Sequence, residues 1–333
     1  RGGPRAVLTR HESGAAFIAD GYARTSGRIG VCCSTTGPGA TNLITGVASA
    51  YAEQVPMLVI TSQTRIADFS RGCFQDSSGD GVDIMGMFDH CTRFNSLVTH
   101  PSQLEWKLTA AFTAALGNPG GPAHLSIPVD IFAAEAGGPA SYPGLHALLN
   151  AVETTLDSAA LERLCEEVTA VLDRQGRVAL LVGHSCLGAG KEITRFAELA
   201  GAAMVTTPRG KPVINPYHPL AAGVFGCSGH LSARRALADE AVQLILAVGT
   251  NLGEWSTSKW DPLLMNNRLV HIHSDPACFA RSPMARLHVT GKIKTIFARL
   301  TDQLEGLKRS GKLTLAATAA GTPDAAARAC YLP

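Results

Sequence analysis

Charge is scarce in this sequence, and its two signs nearly cancel. Asp, Glu, Lys and Arg make up 17% of the 333 residues, and the formal net charge is +2. No block of basic residues stands out, so nothing in the charge pattern favours nucleic acid or an anionic membrane as a partner. An apolar run of membrane-spanning length and a signal-peptide pattern are also missing. These absences make a cytoplasmic enzyme the default expectation.

Paired cysteine motifs are missing as well. The nine cysteines form an odd count without any C-x-x-C spacing, which predicts reduced, mostly buried thiols. The chain has no initiator Met, reaches the strand-like stretch AVLTR (6–10) at once, and closes on an Ala-rich segment without a clear pattern. We expect both ends to be truncation or processing points.

Apolar residues, in contrast, are plentiful at 46%, enough to give two domains their own cores. Continuous apolar runs predict strands of a parallel sheet covered on both faces, namely RIGVCCSTTG (28–37), VPMLVIT (55–61) and AHLSIPVD (123–130). The spacing between them predicts helices over 11–26, 39–53 and 101–117. The third helix would start with a Ser102 cap and Glu105 three residues on. One doubly wound α/β domain over 1–132 follows.

A Gly/Pro/Ala-rich stretch, AAEAGGPASYPG, predicts a linker over 133–155. Strand and helix patterns then alternate again, which predicts a second, Rossmann-like domain over 156–306 and a tail over 307–333. Its strands are predicted at 177–183, 202–207, 242–249 and 268–275, and its clearest helices at 189–200 and 230–238. The predicted fold class is therefore α/β, with two doubly wound parallel-sheet domains.

A carboxylate leads the first predicted helix, in the stretch RHESGAAFIADGYARTSG. Four alanines share a helical face with Glu12: Ala15, Ala16, Ala19 and Ala23. Gly14 and Gly21 each cost about 1 kcal/mol relative to Ala in a helix interior, so we expect a close neighbour on this helix. Desolvation there would raise the pKa of Glu12 and suit it to proton exchange. The alternative is that Glu12 only favours the positive end of the helix dipole.

Several stretches follow one another in a recognisable order: RHESGAAFIADGYART, STTGPGATNLITGVASAYAEQVPMLVITSQ, FQD, GPAHLSIPVDI, TTPRGKPVINPYHPLAAGVFG and LILAVGTNL. Together they resemble the thiamine-diphosphate-dependent enzymes of the acetolactate synthase and 2-keto acid decarboxylase superfamily, over about residues 5–300. The resemblance implies a pyrimidine-binding domain followed by a central domain. It places the diphosphate-binding domain outside this chain.

The resemblance gives Glu12 a catalytic role. In that family the matching Glu hydrogen-bonds the ring nitrogen of the cofactor's aminopyrimidine and activates thiamine diphosphate by proton exchange. The cofactor then serves as the electron sink for loss of carbon dioxide from a 2-keto acid. The turn TTGPGATN (35–42) is implied to hold the pyrimidine end, with a plain βα turn as the alternative. Its implied cofactor contacts are Gly37, Pro38, Gly39 and Asn42.

Three further residues are implied to face the substrate. Phe74 and Gln75 match a Phe-Gln pair that lines the reacting carbon, where an aromatic wall and an amide donor could steer a substrate carbonyl. Asp76 departs from the Glu that usually follows this pair in acetolactate synthases. Arg93 falls where those enzymes often place a Lys near the mouth of the substrate channel. An exposed surface arginine is the alternative.

The Gly-Asp-Gly at 79–81 resembles the family's metal motif, but it lacks the preceding strand and a correctly spaced Asn. We therefore predict a flexible loop here and no metal ligands. The resemblance implies that Mg²⁺ and the diphosphate are held mainly by the third domain of a partner subunit. A homodimer or homotetramer follows from that geometry, and this chain alone is expected to be inactive.

In the second domain, VGHSCLGAGKE (182–192) joins a strand to a helix through a Gly-rich segment able to receive a phosphate. Its predicted nucleotide contacts are Gly183, Gly188 and Gly190. The matching domain holds FAD in acetolactate synthases, an adenine nucleotide in some relatives and nothing in others. GTNLGEW (249–255) replaces a family stretch, which weakens the case for FAD. His271 and His273 alternate on one strand, but without a third ligand they predict no metal site.

The leading prediction is thiamine-diphosphate-dependent decarboxylation of a 2-keto acid such as pyruvate with carboligation, as in acetolactate synthase. Other enzymes of the superfamily are alternatives, among them other lyases and decarboxylases and a sulfoacetaldehyde acetyltransferase-like enzyme. A different class of function is a non-catalytic, nucleotide-binding regulatory module of the same fold. Glu12 discriminates between the two classes, because only the enzymes need it.

Overall fold

The computed structural model describes residues 5–135, 156–311 and 313. Contacts divide the chain into two units, Arg1–Glu153 and Thr154–Pro333. The predicted linker lies outside the described residues from 136 onward, and so does the predicted tail except for 307–311 and 313.

The first unit contains four strands: β1 (Gly30–Ser34), β2 (Met57–Gln63), β3 (Phe94–Leu97) and β4 (Pro122–Pro128). Its α-helices are α1 (Glu12–Ser26), α2 (Pro38–Ala52), α3 (Ile84–Asp89), α4 (Leu104–Leu116) and α5 (Val129–Phe132). The strands form one parallel sheet in the order β1, β2, β4, β3. This arrangement confirms a parallel α/β unit.

The core of the first unit lies on both faces of this sheet. Met57 and Val59 of β2 pack with Leu43 of α2 in one buried cluster, whereas Leu58 packs with Leu125 of β4 in another. Because successive side chains of a strand point to opposite faces, both faces must be apolar. This is why the strands were recognisable as continuous apolar runs.

The second unit contains six strands: β5 (Arg177–Val182), β6 (Ala203–Thr206), β7 (Ala221–Val224), β8 (Val242–Val248), β9 (Leu269–His273) and β10 (Leu287–Thr290). Its α-helices are α6 (Ser158–Asp173), α7 (Gly190–Ala200), α8 (Leu231–Ala238), α9 (Glu254–Thr257) and α10 (Ile293–Arg309). All strand pairs are parallel, and the order is β10, β9, β8, β5, β6, β7. This order confirms a doubly wound sheet.

The second sheet is also buried on both faces. Leu180 and Val182 of β5 belong to one buried cluster, and Ala179 and Leu181 belong to another. The strand order reverses between β5 and β8. In open parallel sheets, ligands bind at the carboxyl ends of the strands beside such a reversal.

Some predicted features are wrong. The stretch AVLTR forms no strand, since residues 5–9 have no regular secondary structure and Leu8 is fully exposed. Helix α4 is not capped by Ser102, because a 3₁₀ turn (Pro101–Gln103) precedes it, and His100 caps that turn by accepting a hydrogen bond from the Ser102 N–H. Among the described cysteines, buried free thiols are indeed the rule: Cys32, Cys91, Cys165, Cys186 and Cys278. Within the described part of the chain, no helix is both long and apolar enough to cross a membrane.

Candidate active site

The candidate site of the first unit lies where α1 and α2 begin. Glu12 occupies the first turn of α1, and His11 caps that helix by accepting a hydrogen bond on Nδ1 from the Ser13 N–H (3.2 Å). The Ser13 hydroxyl donates to the backbone carbonyl of Asn42 in α2 (2.6 Å). These bonds hold the starts of the two helices together. The positive end of the helix dipole stabilises a carboxylate at residue 12, whatever else that carboxylate does.

A side chain of α2 holds the Glu12 carboxylate. Asn42 donates from Nδ2 to Oε2 of Glu12 across 3.1 Å. The other carboxylate oxygen, Oε1, lies 3.5 Å from where a β-carbon at Gly39 would stand, and Cγ2 of Thr35 lies only 2.6 Å from that position. A side chain at residue 39 would crowd both neighbours, so glycine lets Thr35 and the Glu12 carboxylate lie close to the start of α2. The structure thus brings together three predicted site residues, Glu12, Gly39 and Asn42.

The pKa of Glu12 is lowered, which makes the expectation of a raised pKa wrong for this chain. The main cause is a hydrogen bond to the backbone N–H of Glu12 itself, followed by the bond from Asn42, while burial opposes the shift. The side chain is only half-buried, so desolvation is too weak to prevail. At neutral pH, Glu12 is therefore an ionised carboxylate able to accept a proton.

The alanine face of α1 does not approach a ligand. Ala16, Ala19 and Ala23 are buried in the core of the unit, and a β-carbon at Gly46 of α2 would lie 2.5 Å from Cβ of Ala16. The alanines therefore let the two helices pack closely. Gly14 and Gly21 lie elsewhere on α1, where a β-carbon would meet nothing within 4 Å.

The predicted turn and the predicted Phe-Gln pair meet. Gly37 has a φ of +62°, and a β-carbon there would lie 2.9 Å from Cβ of Gln75. Gln75 has a φ of +57°, a left-handed conformation that residues other than glycine seldom adopt. Pro38 begins α2 directly after this turn. Phe74 is 88% exposed, so its ring is not packed against other residues of this unit.

Behind the turn, three polar side chains form a network that no sequence motif indicated. Gln63 at the end of β2 is 1% exposed and its Oε1 accepts hydrogen bonds from the backbone N–H of Thr64 (2.9 Å) and of Ser77 (3.3 Å). The Ser77 hydroxyl accepts from the Gly37 N–H (2.8 Å) and lies 2.9 Å from the Thr36 hydroxyl. The one available signal was a glutamine at the polar end of a strand that begins apolar, TSQ in MLVITSQ.

Arg93 lies apart from these residues. It precedes β3, and its guanidinium donates to the carbonyl of Gly120 (3.2 Å) and to the hydroxyl of Tyr51 (3.3 Å) while stacking over that ring at 4.3 Å. Those partners lie before β4 and at the end of α2. This is the amino edge of the sheet, opposite the carboxyl edge where Gln63 and Thr36 lie. The position of Arg93 in this unit therefore gives no support to its predicted place in a substrate channel.

The Gly-Asp-Gly at 79–81 follows the Phe-Gln loop and is folded against it. A β-carbon at Gly81 would lie 2.6 Å from the carbonyl oxygen of Asp76. The pKa of Asp76 is lowered, first by the backbone N–H of Ser78 and then by its hydroxyl, with smaller effects from Ser70 and Thr64. Among the described residues, no group of three or more His, Cys, Asp or Glu is arranged to hold a metal ion.

In the second unit, backbone packing accounts for two of the three predicted nucleotide-binding glycines. A β-carbon at Gly183 would lie 2.2 Å from the carbonyl oxygen of Gly249, and one at Gly190 would lie 2.4 Å from that of Val213. Gly188 differs, because it has a φ of +86° and open space around it. Glycine at 183 and 190 is thus required by the fold itself and is no evidence for a bound nucleotide.

A cavity of about 620 Å³ lies beside Gly188 at the start of α7. Its charged side chains are largely engaged in ion pairs, such as Lys294 with Glu192 (3.5 Å) and Arg195 with Glu305 (2.7 Å). Such pairing leaves little free positive charge for a phosphate. The nucleotide contacts predicted for this unit therefore stay a prediction.

His271 and His273 are structural in the described residues. Both ring nitrogens of His271 are engaged, Nδ1 with the Ser282 hydroxyl (2.8 Å) and Nε2 with the carbonyl of Thr250 (2.8 Å). Burial lowers the pKa of His271 to about 4 and also lowers that of His273. A histidine with both nitrogens occupied cannot ligate a metal without losing a buried hydrogen bond.

Two families match the chain. Residues 1–85 match "Thiamine pyrophosphate enzyme, N-terminal TPP binding domain", and residues 165–300 match "Thiamine pyrophosphate enzyme, central domain". The first range contains Glu12, Asn42 and Gln75. The second covers most of the six-stranded unit.

Curated relatives and a solved structure agree with this. The chain is 32% identical over 90% of its length to acetolactate synthase 1, chloroplastic, of Zea mays, and 35% identical over 83% to a probable 2-ketoarginine decarboxylase of Pseudomonas aeruginosa. It spans 45% and 47% of those proteins, so it matches about half of their length. A solved structure from Mycobacterium smegmatis, assigned to the thiamin diphosphate-dependent enzymes, has the same fold, with a TM-score of 0.73 at 21% identity over 89% of this chain and 55% of that one.

Proposed function

The chain belongs to the thiamine pyrophosphate enzymes, and on that premise we propose that it supplies the pyrimidine end of a thiamine diphosphate site for decarboxylation of a 2-keto acid with carboligation. One observation carries the proposal. The Glu12 carboxylate lies at the start of α1, where Asn42 holds it beside Gly39.

The chemistry of this corner fits a heteroaromatic ring, because the half-buried Glu12 carboxylate can accept a hydrogen bond from an N–H of such a ring. Gly37 and Gly39 bring Gln75 and Thr35 close to the same turn. When bound, thiamine diphosphate supplies the electron sink for loss of carbon dioxide. The Glu12 carboxyl would hold a proton, give it to a ring nitrogen of the cofactor and take it back. A ring placed against Glu12 would remove water from the carboxylate and raise its pKa towards the range useful for proton exchange.

The Phe-Gln pair faces the same region from the loop after β2. Cβ of Gln75 lies close to Gly37, so the Gln75 side chain begins beside the turn that we propose holds the ring. An amide at this position can donate a hydrogen bond to a substrate carbonyl. The exposed Phe74 ring would gain a partner only when a ligand or another subunit covers it.

Acetolactate synthase-like carboligation is the first choice because acetolactate synthases from several organisms recur among the relatives. Decarboxylation of a different 2-keto acid is the second, and the probable 2-ketoarginine decarboxylase supports it. The sulfoacetaldehyde acetyltransferase-like reaction and the non-catalytic regulatory module receive no specific support from the relatives named above.

We also propose a homo-oligomer in which a partner subunit holds Mg²⁺ and the diphosphate. The outer face of α1, defined as Gly14, Phe17, Ile18, Gly21 and Tyr22, supports this proposal. Its three large side chains are 47%, 55% and 49% exposed, respectively. Because the two glycines have no side chain, another helix can approach the backbone of α1 closely at these positions. A contiguous apolar stripe of this kind marks a protein interface.

The decisive experiment measures hydrogen–deuterium exchange at C2 of thiamine diphosphate bound to the assembled enzyme with Mg²⁺. We expect Glu12→Gln to keep the shape of the site and to slow this exchange by about a hundredfold or more, because an amide cannot take up the proton. Glu12→Asp tests whether the position of the carboxylate matters as well as its charge. Unchanged exchange in Glu12→Gln would exclude Glu12 as the activating residue and favour the non-catalytic alternative.

A further inference from the structure

Gln63 is a buried amide to which the proposed function assigns no role. It closes β2 at the carboxyl edge of the sheet and is 1% exposed. Its carbonyl oxygen accepts from the Thr64 N–H (2.9 Å) and the Ser77 N–H (3.3 Å), and the Thr36 hydroxyl lies 3.4 Å away. One side-chain oxygen thus joins the end of β2, the turn after β1 and the loop that carries the Phe-Gln pair.

The network continues from Gln63 to Gln75. The Ser77 hydroxyl and the Thr36 hydroxyl each lie 3.1 Å from the carbonyl oxygen of Gln75. Each of the two hydroxyls has one proton to donate. The backbone carbonyl of Gln75 and the side-chain carbonyl of Gln63 are therefore both satisfied when Ser77 donates to Gln75 and Thr36 donates to Gln63. In this arrangement Ser77 still accepts from the Gly37 N–H (2.8 Å).

The network fixes a backbone that would otherwise relax. Gln75 has a φ of +57°, where a β-carbon is sterically disfavoured. In that conformation, its side chain lies against Gly37, whose φ is +62°. Strained residues of this kind persist when surrounding contacts over-determine them, and they cluster at functional sites. The contact that fixes the Gln75 carbonyl comes from the Ser77 hydroxyl, and the Ser77 backbone N–H bonds to Gln63.

We propose that Gln63 is a positioning residue that holds the Gln75 side chain against the Gly37 turn, and so aims the Gln75 amide at the substrate. This inference rests on the proposed function and concerns a residue to which the family resemblance assigned no role. Gln63 touches neither cofactor nor substrate. Its loss should therefore impair reaction with the 2-keto acid while sparing cofactor activation by Glu12.

The first readout needs no activity. Gln63→Leu removes the acceptor, and Gln63→Glu keeps one. In hydrogen-exchange mass spectrometry, Gln63→Leu should raise the exchange of loop 64–78 by about tenfold or more, whereas β4 stays protected. Thr61→Val is the control, because it removes a buried hydrogen bond from the same strand, to His124 (2.8 Å), without touching the loop. Loop exchange equal to that of the wild type would overturn the inference.

The second readout separates positioning from general damage. In the assembled enzyme with pyruvate as probe, Gln63→Leu should lower kcat/KM by about tenfold or more, with thiamine diphosphate affinity and C2 exchange within about threefold of wild type. Ser77→Ala should give the same split, Gln63→Glu should recover most of the loss, and Thr61→Val should leave kcat/KM unchanged. If Gln63→Leu keeps the wild-type kcat/KM, or if it loses C2 exchange as strongly as it loses kcat/KM, the inference about Gln63 is overturned and the proposed function is not. A wild type that shows no C2 exchange overturns the proposed function instead.

Discussion

The Asn42 side-chain amide donates to the Glu12 carboxylate across 3.1 Å, joining the starts of two helices that lie thirty residues apart in sequence. The bond favours the ionised carboxylate, because an N–H donates more strongly to a charged oxygen than to a neutral one. In the chain by itself Glu12 is therefore a base. A ligand that displaces the water around the carboxylate would raise its pKa.

The first prediction follows from that bond. Asn42→Leu should raise the pKa of Glu12, because the variant loses the second-largest cause of its lowering. Asn42→Asp should raise the pKa further, since a second carboxylate disfavours the charge. NMR titration of the Glu12 carboxyl carbon would show this order. A pKa that is the same in all three proteins would mean that the Asn42 bond is not formed in solution.

A second prediction concerns pH and stability. Burial lowers the pKa of His124 to about 3, and the neutral ring bonds to Thr61 (2.8 Å) and Asn95 (2.7 Å). In the unfolded chain the same ring takes up a proton near its ordinary pKa of about 6.5. Below that value the unfolded state binds more protons than the folded state, so stability must fall as pH falls.

The expected loss is about 2 kcal/mol between about pH 7 and about pH 5. Urea unfolding of the first unit, followed by hydrogen exchange in β4, would measure it at both pH values. His124→Leu should be less stable near neutral pH but should lack this part of the pH dependence. Thr61→Val, which keeps the histidine, should retain it. An equal slope in His124→Leu and wild type would contradict the assignment.

How much of the fold the sequence could predict depended on burial. Strands β2 and β8 are apolar on both faces, so they appear as continuous runs. Strand β3 was missed because its four residues, Phe94–Leu97, are all half-buried and include Asn and Ser. The helical spacing of α1 predicted a close neighbour without identifying it, and Ala16, Ala19 and Ala23 pack in the core. Helical spacing shows which residues share a face, but not what covers that face.

For the site, sequence motifs located the residues but not their interactions. Glu12, Gly37 and Asn42 were found by resemblance, and the structure brings the first and third into contact. The contact between Gly37 and Gln75 and the network at Gln63 depend on the chain folding back between β1 and the loop after β2. Such long-range pairing leaves no periodicity in a single sequence. The lowered pKa of Glu12 was also missed, because it depends on the exposure of the carboxylate and on its bond from Asn42.

A third prediction uses two glycines with a positive φ but a different ψ, 14° at Gly27 and −122° at Gly37. Gly27 ends α1 with a φ of +67° and nothing within 4 Å of its would-be β-carbon, whereas Gly37 has a φ of +62° and Gln75 at 2.9 Å. Gly27→Ala should therefore cost only the conformational strain, about 1 kcal/mol, and leave activity unchanged. Gly37→Ala adds a clash with Gln75 and a backbone conformation outside the left-handed helical region, and it should displace Gln75 and lower kcat/KM by about tenfold or more. Equal effects of both substitutions would show that the contact does not matter.

The last prediction concerns the outer face of α1. Gly21 lies inside α1, and a β-carbon there meets nothing within 4 Å in this chain. In a monomer, Gly21→Ala should stabilise the helix by about 0.5–1 kcal/mol, because alanine is the better helix former. In a homo-oligomer that uses this face, the added methyl group should push the partner helix away and weaken association.

Gly306 provides the matched control, since it lies inside α10 and is equally open. Gly306→Ala should give the same gain in stability without changing association. Sedimentation velocity of the two variants over a range of concentrations, with urea unfolding alongside, separates the two effects. If Gly21→Ala gains stability and associates like Gly306→Ala, the subunit contact lies elsewhere. If Gly21→Ala gains helix stability but associates more weakly, the contact lies on α1, where the partner subunit is expected to complete the site around Glu12.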